Sequence, residues 1–173
     1  MRLTGVIVTV TVSVLLQTLL ARYTAGQRWM PDLVLVGVLF SGLRWGPVAG
    51  MLAGTTGGLI QDLIAGESII GVGGLTKTLV GFAVGAIGAQ FVLVRAQARV
   101  IITALATILH RLMILGLNAL LEGPSGVPWG DILIQTALTA LCSLVAFQLT
   151  DAVPGAIERS RASRRATLSR RKW

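Results

Sequence analysis

An all-α integral membrane protein, built as a bundle of about six transmembrane helices with a short second one, is the fold class this sequence predicts. Three observations predict it. The 173 residues are 54% hydrophobic and only 13% charged, with a mean hydropathy of +0.80, too little polar surface for a soluble domain of this size. The apolar residues fall in successive runs, most of them near the roughly 20 residues that cross a bilayer as helix. No ten-residue alternating segments of the kind a membrane β-barrel uses, roughly one per strand, are present.

The runs cover residues 3–21, 32–43, 46–64, 68–91, 98–121 and 131–151. The first, MRLTGVIVTVTVSVLLQTLLA, imitates a signal peptide, but its apolar core is long and further spans follow, so it is expected to be a retained first helix. The second is too short to span as an upright helix. Met30-Pro31-Asp32 suits its start, because Pro fits a first turn and Asp the positive dipole end. Gly42-Leu43-Arg44-Trp45-Gly46-Pro47 is a tight turn into the third run. Five spans would need the second run to be re-entrant. Residues 1–155 are read as one transmembrane helical domain and 156–173 as a basic cytoplasmic tail.

Charge sets the expected topology. Net charge is +8. Six spans put Arg2, Arg44, Arg95, Arg99 and the tail on one side, with Arg22 and Arg28 plus Glu67, Glu122, Asp32 and Asp131 on the other. That asymmetry favours both ends in the cytoplasm. The tail carries Arg159, Arg161, Arg164, Arg165, Arg170, Arg171 and Lys172. Next to a membrane such a run is expected to hold anionic lipid, at about 1 kcal/mol per residue, and nucleic acid is not expected. The single cysteine, Cys142, builds neither a disulfide framework nor a zinc site.

Glycine marks the helix-packing surfaces. Gly46, Gly50, Gly54 and Gly58 recur every fourth residue in the third run. Gly74, Thr78, Gly81, Gly85 and Gly88 form a stripe in the fourth. Such ridges let another backbone approach closely. Packing within one bundle is the plainer reading, and docking of a second membrane protein the sharper one. Polar faces recur on other runs: Thr9, Ser13 and Gln17; Thr103, Thr107 and Asn118; Gln135, Thr139, Cys142 and Ser143.

Lys77 is the anomaly, an ammonium inside GVGGLTKTLVGFAVG. Charge at bilayer depth is costly and normally partnered. A buried polar network of Gln61, Asp62, Lys77, His110 and Arg111 is expected. Asp62 is a candidate partner for Lys77, as a latch between the third and fourth helices. Gln61, Gln17 and helix-end carbonyls are the others. Arg111 could reach a carboxylate or Asn118. A proton relay would need carboxylates at depth, and only Asp62 comes near. Catalysis is not expected. Gly71–Thr78 fails as a P-loop because Thr76 stands where Gly must precede the lysine, and no GxSxG or HExxH occurs. One His and one Cys make no nucleophile–base pair. No cofactor or metal is expected.

The central third resembles the MreD family of rod shape-determining proteins. The resemblance rests on Pro31-Asp32 opening a helix, the Gly42/Gly46-Pro47 turn, the glycine-rich approach to Gln61-Asp62-Leu63, Gly71, and Lys77-Thr78-Leu79-Val80-Gly81. It is strongest over residues 30–88, and the basic tail has no counterpart in it. It implies a non-enzymatic inner-membrane scaffold of the elongasome. That scaffold would bind the transmembrane helix of MreC, act with MreB, RodA and a penicillin-binding transpeptidase, and help control lateral peptidoglycan synthesis. The family is also similar in fold to the S-components of energy-coupling-factor transporters. The alternative is therefore a vitamin-binding S-component, which would need an outer pocket lined by aromatic and polar groups.

Overall fold

The second helix is the shortest and lies at the centre. A computed structural model of the chain describes residues 2–24, 30–66, 69–90, 96–123 and 129–148. It contains α1 (Arg2–Thr24), α2 (Leu33–Trp45), α3 (Pro47–Ala65), α4 (Val72–Gln90), α5 (Ala96–Glu122) and α6 (Trp129–Gln148). Strands are absent among the described residues. All helices except α2 are long and apolar enough to cross a membrane. The expected all-α membrane bundle of six helices with a short second one is therefore the observed architecture. The basic residues from Arg159 to Lys172 lie outside the described residues.

Thirteen residues of α2 rise about 20 Å, against a hydrocarbon core of about 30 Å. From Val34 to Leu39, α2 is apolar and buried on all sides. Val34 and Val38 pack with Val6, Val10 and Val14 of α1 and Ala49 and Ala53 of α3. Leu35 and Leu39 pack with Val80 and Val84 of α4 and Ala106 of α5. Phe40 meets Phe147 of α6, ring centroids 5.7 Å apart.

The contacts fix the direction of every helix. Gly37 of α2 lies against Ser13 of α1, Asp32 against Thr139 of α6 and against Lys77 of α4, and Gly42 against Gly85 of α4. So α2, α4 and α6 run parallel, and α1, α3 and α5 run the other way. Gly46, with φ of 95°, makes the reversal between α2 and α3. That left-handed conformation suits glycine, and Pro47 follows at the first helical position, where its missing N–H costs nothing.

The glycine ridges serve the α3–α4 contact. A Cβ on Gly58 would sit 2.6 Å from the Gly74 Cα, and one on Gly54 would sit 2.6 Å from the Thr78 nitrogen. On Gly50 it would sit 2.8 Å from the Gly81 carbonyl carbon, and on Gly85 2.6 Å from the Pro47 Cα. Thr55 and Thr78 add a hydrogen bond of 2.8 Å across the seam. Of the two readings of the ridges, the plainer one, packing within one bundle, is what the α3–α4 contact shows. These faces are filled by the chain's own helix, which leaves no room on them for a second protein. Gly46 is a turn residue with nothing near its own Cβ position, and it meets α4 only through its backbone, its carbonyl carbon 2.9 Å from where a Cβ on Gly85 would sit.

Candidate functional site

A helix that begins below the membrane surface must satisfy its first N–H groups from side chains. At α2 this is done by two residues. Asp32 is the N-cap, and its Oδ1 accepts the Leu35 N–H at 2.9 Å. Gln17 reaches over from α1, and its Oε1 accepts the Leu33 N–H at 2.7 Å. The N–H of Asp32 itself donates to Thr139 Oγ1 of α6 at 3.2 Å.

The second carboxylate oxygen carries the charge chemistry. Asp32 Oδ2 lies 2.9 Å from Lys77 Nζ of α4 and 3.5 Å from His110 Nε2 of α5. Lys77 Nζ and His110 Nε2 are 3.2 Å apart. An ammonium only donates, so Nε2 must accept from Lys77 and the imidazole proton is assigned to Nδ1. Exposure is 5% for Asp32 and 2% for both Lys77 and His110. The Asp32 carboxylate thus ties α4 and α5 to the start of α2, while Gln17 and Thr139 tie α1 and α6 to its backbone N–H groups.

Of the five residues expected in a polar network, Lys77 and His110 come together here. The expected latch partner does not. Asp62 is buried near the end of α3, and its Oδ2 accepts the Gly71 N–H at 2.9 Å and the Gly74 N–H at 3.2 Å. It therefore caps the start of α4, where the dipole favours a carboxylate. Gly73 lacks a Cβ that would strike this carboxylate. Lys77 consequently fastens α4 to α2 and α5. Arg111 takes neither a carboxylate nor Asn118 as its recorded Nε partner; its Nε–H donates to Gln135 Oε1 of α6. Gln61 stands at the wall of the adjoining cavity.

Asp32 was expected on the outer surface, and Asp62 was expected to be the only carboxylate near bilayer depth. Both expectations fail for one reason: α2 is short, so its first residue starts inside the bundle. Gln17, a candidate partner of Lys77, serves the backbone of α2 instead.

Above the cluster lies a cavity of about 770 Å³. Its wall runs from Lys77 and His110 to Ala21, Ala65, Ile69 and Asp131, at the end of the bundle opposite Arg2. No group of three side chains suited to a metal occurs among the described residues.

The profile of the rod shape-determining protein MreD family matches residues 1–126. The chain belongs to the MreD family. The match takes in α1 to α5, and with them Gln17, Asp32, Asp62, Lys77 and His110; α6, which supplies Thr139 and Gln135, lies beyond it. Family membership and five spanning helices make this MreD protein a multi-pass membrane protein of rod-shape determination, a structural role outside the known enzyme families. No curated protein and no solved structure matches the chain.

Proposed function

We propose that this protein is a non-enzymatic inner-membrane scaffold of the elongasome. Both ends are cytoplasmic. It binds the transmembrane helix of MreC and so helps control lateral peptidoglycan synthesis. MreB, RodA and the penicillin-binding transpeptidase belong to the same assembly, and the tail from Arg159 to Lys172 rests on anionic lipid.

The observation that carries this reading is the family match over residues 1–126. The bundle supports it by what it leaves open. Asp32, Asp62, Lys77 and His110 are buried and the glycine ridges of α3 and α4 face each other, so a membrane partner meets outer helix faces. The α1 span is the least covered, 17% buried against 44% for α4. Near its start Thr4, Gly5, Val8 and Thr9 form a shallow groove beside Trp45. Small side chains beside an aromatic ring allow a helix to approach closely, and MreC docks there.

Co-purification from membranes containing MreC tests the reading. Val8→Trp fills the groove and is expected to lose MreC, whereas Ile101→Trp, on an exposed position of α5, keeps it. The reverse pattern removes the groove from the interface. A parent chain that brings down no MreC removes the scaffold.

A further inference from the structure

The cavity above the Asp32 cluster has features that packing leaves unexplained. Its volume, about 770 Å³, falls in the range of small-molecule sites, roughly 300–1,000 Å³. Two buried polar atoms on residues of its wall have no hydrogen-bond partner among the described residues, His110 Nδ1 and Gln61 Oε1. Buried polar groups are normally satisfied, and an orphan calls for an explanation. With Nε2 accepting from Lys77, His110 Nδ1 is a donor, whereas Gln61 Oε1 is an acceptor. A hydroxyl or an amide serves both kinds of atom.

The wall also indicates the charge of the occupant. Lys77 is matched by Asp32, Asp62 by two backbone N–H groups, and Arg111 donates to Gln135; Asp131, half-buried on the same wall, adds a carboxylate that repels an anion and leaves a cation as the charged class to be tested. A charged ligand would compete with bonds already made in a low-dielectric site. Among the described residues of the wall none is Phe, Tyr or Trp, so a planar aromatic ring finds nothing there to stack on. That speaks against the vitamin class considered from the sequence.

We propose that this cavity binds a small, neutral, non-aromatic compound bearing hydroxyl or amide groups, held by His110 Nδ1–H and Gln61 Oε1. Such groups occur on free solutes and on lipid headgroups alike, and the two sources are separate arms of the test. The proposal is independent of the scaffold reading, since the groove beside Trp45 lies at the opposite end of α1.

Calorimetry on the full chain in phosphatidylcholine nanodiscs tests it. The probes are sucrose, N-acetylglucosamine, citrate and thiamine in buffer, with a galactosyl lipid doped into the disc as a separate arm scored by melting temperature. Binding of sucrose or N-acetylglucosamine, or stabilisation by the galactosyl lipid, is expected, with citrate and thiamine silent; the arm that responds identifies the source. Gln61→Leu is the variant. Removing an orphan acceptor leaves the fold at least as stable, so it should melt no lower than the parent and still bring down MreC. Its affinity should fall about tenfold, the cost of one unpaired ligand donor. Binding by citrate or thiamine alone overturns the ligand class. A folded parent that responds to no neutral probe means that the cavity holds only water and overturns the site, and an unchanged affinity in Gln61→Leu overturns the binding mode, because the ligand is then not held by Gln61.

Discussion

Replacing Lys77 by Met tests the central cluster most directly. The change keeps the length and apolar stem of the side chain and removes the ammonium 2.9 Å from Asp32 Oδ2 and 3.2 Å from His110 Nε2. The Asp32 carboxylate, 5% exposed, is then buried without its counter-ion. Breaking one side of a buried pair costs about 3–5 kcal/mol. Domains are stable by about 5–15 kcal/mol in all, so a large part of the total is at stake. In a chain of this size the loss corresponds to a fall in Tm of about 6–20 °C. Removing both charges should be far milder. In Asp32→Asn with Lys77→Met, the Asn oxygen still accepts the Leu35 N–H as N-cap, and its amide takes over as donor to His110. Melting in nanodiscs, followed by tryptophan fluorescence, compares the parent with both variants. Equal melting of Lys77→Met and the parent, or a double variant no better than Lys77→Met alone, would refute the charge pairing as what holds these helices.

Two further predictions follow from the same packing. Gly54→Ala should lower stability by about 1–3 kcal/mol through overpacking, because its Cβ meets the α4 backbone, whereas Gly116→Ala, with open space at that position, should be neutral or stabilising in the same melting assay. Asp62→Ala should cost about 1–2 kcal/mol as a lost helix cap, and Asp62→Asn less, since one oxygen remains to accept from Gly71 or Gly74; equal losses for the two would remove the capping role.

Much of the bundle was legible in the sequence because apolar runs of spanning length have few alternative folds in a bilayer. The third run, expected at 46–64, is α3 from Pro47 to Ala65, and the fifth, expected at 98–121, is α5 from Ala96 to Glu122. The glycine spacing identified the faces of α3 and α4, but periodicity shows only which residues share a face, not which neighbour covers it. The site was harder to read. His110 and Lys77 are 33 residues apart, and Asp32 and Thr139 are 107 apart; no local pattern encodes such meetings. Asp62 looked the better partner for Lys77 because it is nearer in sequence. One signal pointed to Asp32: an N-cap that opens an apolar run too short to span must sit below one surface.

The part played by α6 follows from the same short helix. Asp32 cannot leave its backbone N–H unmet at that depth, because hydrocarbon offers no water to take it. On α6, Thr139 accepts that N–H and is itself fully buried, and Gln135 lies one turn earlier, accepting from Arg111. The helix beyond the family match is thus tied to residues within it by two polar contacts on one face. Thr139→Val keeps the shape of the side chain and removes the acceptor, which should cost about 1–3 kcal/mol for one unsatisfied buried donor. Thr139→Ser keeps the hydroxyl and should recover most of that loss, apart from the missing methyl. The comparison separates hydrogen bonding from packing, because Val fills the site better than Ser does. If Thr139→Ser melts lower than Thr139→Val, α6 is held at this point by its methyl contacts, and the buried start of α2 does not depend on it.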